Sequence, residues 1–354
     1  MTLSTKVNAS RFFEDFTLNE VILHATPRTI TTGDAALYIA LTGERNPLHC
    51  SEPFAQSLGY KTTPIDNLLA FHIAFGKTVP DISVNAIANL GYAEVKFIQP
   101  VFVGDTLTTS SEVIGLKQNS NGKSGVVWVR STTVNQNKFL VMSWVRWAMV
   151  HKSNLSTPAP EMVVPVLAPF VSVDQLKLSP YMSAKYYNTG ATGGAYLWED
   201  YQIGERINHA AGMTINESDH SLATRLYQNN AKLHFDAQLM KSSPIGHRLV
   251  YGGVIISTCR ALSFEGLENA LSILAINGGT HANPSFAGDT IYTMTEVLEA
   301  WPLPKRTDIG ALRLRMVGIK NMPANELTDI KTDQGYHPNV VLDLDYTVHM
   351  PRKH

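Results

Sequence analysis

A carboxylate and an imidazole, two groups that proteins often use for proton transfer, lie five residues apart in the stretch "GERNPLH". Glu44 could accept a proton from water, and His49 is of a residue type that titrates near neutral pH. The stretch "YQNNAKLH" has an amide at Asn229 and an imidazole at His234 with the same separation. An amide can orient a water molecule but cannot accept its proton. Both stretches are therefore candidates for acid–base chemistry.

The two stretches are copies within an internal repeat. Residues 12–51 align without a gap with residues 197–236, and this offset of 185 pairs His49 with His234. Further along, "PVFVGDT" and "PSFAGDT" align at an offset of 184, so a single deletion separates the two blocks. Because the repeat is far longer than the periods of about 20 to 50 residues found in solenoids, it indicates a duplicated domain.

A proline-rich segment lies between the two copies. The chain has 354 residues, more than one core usually fills. The stretch "STPAPEMVVPVLAPF" contains four prolines in fifteen residues, which is typical of a semi-rigid linker. We therefore predict an N-terminal domain over residues 1–152, a linker over 153–184 and a C-terminal domain over 185–354.

Each copy predicts the same elements around its candidate site. In "TTGDAALYIALTG" and "NESDHSLATRLYQ", Thr31 and Asn216 are the expected N-caps, and Asp34 and Asp219 are their capping partners. A second helix, apolar on most faces, follows in "LLAFHIAFGKTV" and in "GVIISTCRALSFEGL". Alternating segments with Gly-Asp and Asn-Gly turns come next and predict antiparallel strands. The expected fold class is therefore α+β, with sheet and helix as two layers.

Three further histidines fit structural roles. His24 and His209 precede the capped helices on predicted strands, and His72 lies on the apolar helix, where a hydrogen-bonded core histidine is expected. The glycine-rich stretch "GATGG" is followed by neither a helix signal nor a lysine, so it does not indicate a phosphate-binding loop.

Composition argues against several classes of function. Hydrophobic residues make up 44% and the formal net charge is -1, so we expect a globular protein that binds neither nucleic acid nor a membrane surface. The two cysteines lie in different halves without CxxC spacing, which argues against a disulfide framework and a structural zinc site. Neither a signal sequence nor an apolar run of membrane-spanning length is evident, so a cytoplasmic location is expected.

These motifs resemble the MaoC-like (R)-specific enoyl-CoA hydratases of the hot-dog fold, whose signature reads approximately Gly-Asp-x-Asn-Pro-x-His. "GERNPLH" matches this signature except at Glu44, and the ordered set of capped helix, histidine loop, buried helix and "PVFVGDT" strand occurs twice. The chain looks most like the mesaconyl-CoA hydratase branch, also called β-methylmalyl-CoA dehydratase. This resemblance implies a double hot-dog, in which two tandem units each wrap an antiparallel sheet around a long central helix. It also implies a homodimer.

The resemblance implies a hydro-lyase reaction, the reversible hydration of a 2-enoyl-CoA such as mesaconyl-CoA to β-methylmalyl-CoA. Coenzyme A is then part of the substrate, and neither a separate cofactor nor a metal is expected. In the C-terminal half the family's histidine maps onto His234, and the glycine whose N–H binds the thioester oxygen maps onto Gly252. The family's aspartate is replaced by Asn229, which would orient the water and leave His234 as the single acid–base group.

The N-terminal half departs from the family pattern at a different position. It keeps a carboxylate at Glu44 and an imidazole at His49, but Asn67 replaces the glycine at the start of its buried helix. The resemblance therefore favours catalysis in the C-terminal half, and Glu44 with His49 form the second-choice site.

A dicarboxylic substrate would need a partner for its distal carboxylate, because an unpaired charge is costly to bury. Arginine suits this role, since its guanidinium binds carboxylates in a bidentate way. Arg45, Arg225 and Arg248 lie near the motifs and are the candidates, and Tyr251, next to Gly252, is a further candidate substrate contact.

Three alternative functions remain open at the level of sequence. The chain could be a general (R)-specific enoyl-CoA hydratase or a hot-dog acyl-CoA thioesterase, although the signature argues against the latter. It could also be a non-catalytic acyl-CoA-binding protein, because neither half carries the complete set of family residues.

Overall fold

The computed structural model describes residue 6 and residues 10–353, which form two similar halves. The regular elements of the N-terminal half are, in chain order, β1 (Val21–Leu23), β2 (Arg28–Thr29), α1 (Thr32–Thr42), α2 (Pro47–Cys50), α3 (Glu52–Ser57), α4 (Asn67–Ile82), β3 (Ala86–Phe97), β4 (Thr106–Gln118), β5 (Ser124–Val134) and β6 (Leu140–His151).

The C-terminal half repeats this order. Its elements are β7 (Arg206–Asn208), β8 (Met213–Thr214), α5 (Glu217–Leu226), α6 (Ala237–Lys241), α7 (Gly252–Leu262), β9 (Ile273–Thr280), β10 (Thr290–Pro302), β11 (Ile309–Lys320), β12 (Lys331–Thr332), β13 (Gly335–Tyr336) and β14 (Val340–Pro351).

One antiparallel sheet runs through both halves. Within the described residues its twelve strands follow the order β1-β4-β5-β6-β3-β9-β14-β11-β10-β7, with β2 beside β4 and β8 beside β10. The halves meet where β3 pairs with β9, which places Tyr92 opposite Gly279 and Lys96 opposite Ala275. The antiparallel strands were predicted from the sequence, but this edge-to-edge junction was not.

The central helices α4 and α7 lie between this sheet and the shorter helices. Almost every residue of both helices is buried in one apolar core shared by the two halves. The helices contact each other through His72, whose Nε2 lies 3.0 Å from Oγ of Ser257, and Tyr38 of α1 donates to the same oxygen at 3.0 Å. His72 is therefore a hydrogen-bonded core histidine. This arrangement agrees with the expected α+β class, two layers of helix and sheet.

The paired histidines His24 and His209 occupy equivalent structural positions. Both nitrogens of each ring are within hydrogen-bond distance of a partner. His24 contacts Asp81 at 2.7 Å and Ser111 at 2.8 Å. His209 contacts the Glu265 carbonyl at 2.7 Å and Thr295 at 2.9 Å. These contacts tie the segments before α1 and α5 to the sheet.

The two capped helices differ in their first turn. At α1, Thr31 accepts the N–H of Asp34 and the Asp34 carboxylate accepts the N–H of Thr31, as the sequence predicted. At α5, the Asn216 side chain makes no capping bond and instead donates to Asp219 at 2.7 Å. The prediction of a side-chain N-cap at Asn216 is therefore wrong, because the two side chains bind each other.

Helix α7 is shorter than its apolar pattern suggested. The sequence predicted a helix continuing to Leu267, but α7 ends at Leu262. The Ser263 hydroxyl donates to the Arg260 carbonyl at 2.8 Å, and Gly266 has a φ of +95° that an α-helix cannot contain.

The segment between β6 and β7 contains short 3₁₀ turns but no α-helix. It packs on both halves: Met182 and Ala184 are buried in a cluster with Leu48 of α2 and Leu303 beyond β10. The segment is therefore packed against both halves of the protein. The domain bounds at 153–184 stay a prediction. No helix among the described residues is long and apolar enough to cross a membrane.

Candidate active site

A cavity of about 330 Å³ lies between the two halves and contains the predicted C-terminal-half residues. Asn229, His234, Tyr251 and Gly252 all line it. Its other wall comes from α4, β3 and β6 of the N-terminal half, so neither half alone forms the cavity. The sequence therefore placed these four residues at one site, although their roles there stay predictions.

His234 is held in one orientation by a backbone contact. It ends a 3₁₀ turn, Lys232–His234, and its Nδ1 lies 2.9 Å from the carbonyl oxygen of Leu249. Since a carbonyl only accepts, Nδ1 carries the proton and Nε2 is the nitrogen that can take one up. Burial lowers the pKa of His234 to about 4, although the bond to Leu249 acts in the opposite direction. The ring is therefore neutral at pH 7 and can act as a base.

Asn229 is fixed by the loop that precedes this turn. Its side-chain oxygen accepts the N–H of Ala231 at 3.0 Å, which leaves the side-chain NH₂ group as a donor for water. The loop passes close to α4 at Gly76, where a β-carbon would lie 2.0 Å from the Tyr227 carbonyl oxygen. Glycine at this position therefore lets a helix of the N-terminal half support the loop of the C-terminal half.

The first turn of α7 is available to a ligand. Tyr251 is its N-cap residue but makes no side-chain capping bond, and Gly252 is its first residue. The first N–H groups of a helix have no intrahelical acceptor and favour negative charge. Glycine at 252 is also required by packing, because a β-carbon would lie 2.3 Å from Cε1 of His281. The arrangement suits an oxyanion at the start of α7.

The N-terminal half has its own cavity of about 450 Å³, lined among others by Glu44, His49 and Asp66. Glu44 accepts the N–H of Asn46 at 2.7 Å, and Nε2 of His49 lies 3.8 Å from a carboxylate oxygen of Asp66. Asp66 is the N-cap of α4 and accepts the N–H of Leu68 at 2.6 Å. A carboxylate therefore occupies the helix start that corresponds to the open end of α7.

Known proteins resemble the chain over nearly its whole length. Residues 15–135 match the model of the MaoC-like domain. The chain is 55% identical over 351 residues to Beta-methylmalyl-CoA dehydratase of Chloroflexus aurantiacus, covering 99% of this chain and all of that protein. It is 51% identical over 347 residues to Mesaconyl-CoA hydratase of Cereibacter sphaeroides, covering 98% of this chain and all of that protein. The chain belongs to the MaoC-like family.

Solved structures agree with this membership. A putative MaoC domain protein dehydratase from Chloroflexus aurantiacus superposes with a TM-score of 0.97 at 56% identity, covering 99% of this chain and all of that chain. A conserved hypothetical protein of Mycobacterium tuberculosis, described as having a double hotdog fold, superposes with a TM-score of 0.73 at 23% identity, covering 97% and 99% of the two chains. The predicted family and the double hot-dog fold are both confirmed.

The three arginines predicted to bind substrate do not line the cavity with His234 in this MaoC-like protein. Arg45 pairs with Glu265 at 3.1 Å, and its guanidinium lies 4.9 Å from the centre of the Phe264 ring. Arg248 pairs with Glu217 and donates to Ser221 at 3.0 Å. Arg225 lines a separate open groove that also contacts the Asn229 loop. The positions of these three side chains therefore give no support for direct contact with a substrate in the His234 cavity.

Sequence reasoning missed residues that reach the cavity from other elements. They are His281, which follows β9; Tyr92 and Asn89, on β3; and Arg146, on β6. Arg146 did leave a signal: in "LVMSWVRWAMVH" it falls in the alternating register of Met142, Trp144 and Ala148, which faces the core.

In the described part of the chain, no group of three or more His, Cys, Asp or Glu side chains is arranged to hold a metal ion. The expectation of a metal-free and cofactor-free reaction stays a prediction.

Proposed function

We propose that this chain is a hydro-lyase that catalyses the reversible hydration of mesaconyl-CoA to β-methylmalyl-CoA at the cavity between its halves. This is the reaction predicted from the sequence, and the names of the two relatives, Beta-methylmalyl-CoA dehydratase and Mesaconyl-CoA hydratase, describe its two directions. The observation that carries the choice of site is the uncapped start of α7, which shares one cavity with a neutral His234.

The reaction requires water to add across a double bond conjugated to a thioester. Asn229 would donate a hydrogen bond that orients the water, and Nε2 of His234 would take its proton. The oxygen then bonds to the β-carbon, and negative charge develops on the thioester oxygen. The N–H of Gly252 would stabilise that charge, because the start of a helix favours anions.

The reaction is completed when the proton taken from water is transferred to the α-carbon. The imidazolium of His234 gives its proton to the α-carbon, which produces β-methylmalyl-CoA and restores the neutral ring. Burial favours this return because it disfavours the charged ring, as the lowered pKa of His234 indicates. A single acid–base group delivers both parts of water from the same face, so the addition is syn.

The C-terminal half is favoured over the N-terminal half for an electrostatic reason. An enolate-like oxygen at the start of α4 would meet the carboxylate of Asp66, which already accepts the Leu68 N–H. At α7 the corresponding residue is Tyr251, which carries no charge and makes no capping bond. Like charges would therefore destabilise the transition state in one cavity and not in the other.

The test compares His234→Ala with the matched variant His49→Ala. Hydration of mesaconyl-CoA is followed by the loss of absorbance of its conjugated thioester. We expect His234→Ala to lower kcat by about 10²- to 10⁴-fold, the usual contribution of an acid–base group, and His49→Ala to change it little. The opposite result would move the site to the N-terminal half.

The same assay separates the alternative functions. Release of free thiol would indicate a thioesterase, and an unchanged enoyl absorbance with measurable binding would indicate an acyl-CoA-binding protein. Equal turnover of mesaconyl-CoA and crotonyl-CoA would indicate a general (R)-specific enoyl-CoA hydratase.

We also propose, on sequence grounds, that the protein acts in the cytoplasm as a homodimer. The support is that Cys50 and Cys259 are both free thiols, which suits a reducing compartment, and that hot-dog units tend to associate. Light scattering coupled to size exclusion would measure the mass, and a single-chain mass near 39.0 kDa would contradict the dimer.

A further inference from the structure

Arg146 brings a charge to the cavity wall opposite His234. The residue is 1% exposed, lies on β6 in the N-terminal half and lines the cavity between the halves. One terminal nitrogen donates to Oγ1 of Thr78 at 2.7 Å and the other approaches Oγ of Ser83 at 3.3 Å. Its Nε has no hydrogen-bond partner.

This guanidinium also lacks a counter-ion. Among residues 10–353 the ion pairs within 4.0 Å include none with Arg146. One face packs on Phe75, with 4.3 Å between the guanidinium carbon and the ring centre. Burial lowers the pKa of Arg146 to about 10, so the group stays charged at neutral pH. A buried charge without a partner is costly, and an anionic ligand would remove that cost.

Two neutral side chains extend this polar wall. Neither the oxygen nor the nitrogen of the Asn89 amide has a partner, and Oγ of Ser285 has none either. Both residues line the same cavity as Arg146. Asn89 lies opposite Ala148 on β6, two residues from Arg146 and therefore on the same face of the strand. A shift in register between Asn89 and Gly91 turns both Asn89 and Tyr92 toward this face.

We infer that Arg146 binds the distal carboxylate of a dicarboxylic enoyl thioester, with Asn89 as an auxiliary donor, while the thioester lies at the start of α7. This inference rests on the proposed function and names the feature of the substrate that the cavity selects. A carboxylate in this position pairs with the guanidinium of Arg146 and neutralises its charge. A methyl group in its place leaves the charge unpaired, so the cavity discriminates between the two.

The experiment uses two substrates that differ in this one group. Mesaconyl-CoA carries the carboxylate, and tiglyl-CoA carries a methyl group at the same carbon. We expect the wild-type protein to favour mesaconyl-CoA in kcat/KM, and Arg146→Met to reduce that preference by about 10²- to 10³-fold, the loss typical of breaking a buried ion pair. Arg146→Lys should retain part of the preference because it keeps the charge.

Each outcome decides the inference. If Arg146→Met lowers kcat/KM equally for both thioesters, Arg146 is structural and the inference is wrong. Should that variant fail to fold, Asn89→Ala provides the second test, and an unchanged preference in it and in Arg146→Lys would also overturn the inference. If the wild-type protein hydrates neither thioester, the proposed function fails. The ratio of the dissociation constants of the two thioesters, with and without Arg146, then still shows whether Arg146 selects the carboxylate.

Discussion

The hydroxyl of Tyr92, in the N-terminal half, lies 3.1 Å from Nε2 of His281, in the C-terminal half. The same imidazole packs against Gly252 at the start of α7, so closely that a β-carbon at this position would lie 2.3 Å from its Cε1. A residue of the first half therefore fixes the histidine that covers the proposed oxyanion site of the second half. The geometry of that site is a property of the complete double domain.

Tyr92→Phe should loosen this junction while keeping the ring. Loss of one buried hydrogen bond predicts a decrease of about 1 kcal/mol in the free energy of unfolding, measured by urea denaturation. Because His281 would be less well fixed over Gly252, kcat should also fall several-fold. An unchanged kcat in a destabilised protein would show that the contact serves stability alone.

Gly252→Ala should reduce activity more than it reduces stability. The new β-carbon would lie 2.3 Å from the His281 ring, so the ring or the helix start must move. Displacing one oxyanion donor typically costs about 10²- to 10³-fold in kcat, and we expect a loss of that order. The control is Gly33→Ala in α1, where the β-carbon would meet only Oγ1 of Thr31 at 3.5 Å. That helical substitution should leave kcat unchanged and raise stability by about 0.5 to 1 kcal/mol.

Asp66 allows the second-choice site to be tested by its charge. Asp66→Asn keeps an N-cap on α4 but removes the carboxylate beside His49, and Asp66→Ala removes both. If catalysis occurs at His234, both variants should hydrate mesaconyl-CoA at nearly the wild-type rate. The alanine variant alone should lose about 1 kcal/mol of stability in urea. A large fall in kcat with Asp66→Asn would instead assign the chemistry to the N-terminal cavity.

The sequence predicted what is local and what is repeated. The repeat aligned His49 with His234, and the capping pair Thr31 and Asp34 followed from residue types three positions apart. In contrast, the junction of β3 with β9 depends on pairing between distant segments, which no local pattern encodes. Arg146 was missed for this reason, because its strand lines a cavity that the junction completes.

The hydration rate should depend on pH through His234, which is the proposed base and is neutral above about pH 5. The pKa of His234 in the free protein is lowered to about 4 by burial, so protonation removes the base only in acid. We expect kcat/KM for hydration to be nearly constant from pH 8 to about 5 and to fall below that. A decline centred near pH 6.5, the ordinary value for histidine, would contradict this assignment. The profile of His49→Ala should match that of the wild type.

Stability should depend on pH because several histidines are buried in the neutral form. Burial lowers the pKa of His209, His234 and His281 to about 4 and that of His72 and His349 to about 3. In the unfolded chain the pKa of each histidine is about 6.5. As the pH falls from 6.5 toward 4, the unfolded chain binds protons that the native chain excludes, so stability present above pH 6.5 is progressively lost.

The size of this loss can be measured directly. A difference of about 2.5 to 3.5 pKa units corresponds to about 3 to 5 kcal/mol for each histidine once the pH lies below both pKa values, which is large against a typical stability of about 5 to 15 kcal/mol. We therefore expect the urea midpoint to fall steeply between pH 6.5 and 4.5. His209→Gln removes one titrating group and should make the slope of the unfolding free energy against pH shallower by one proton. A midpoint that stays constant over this range would mean that these rings titrate in the native protein near about 6.5, as they do in the unfolded chain, and are not held neutral by burial.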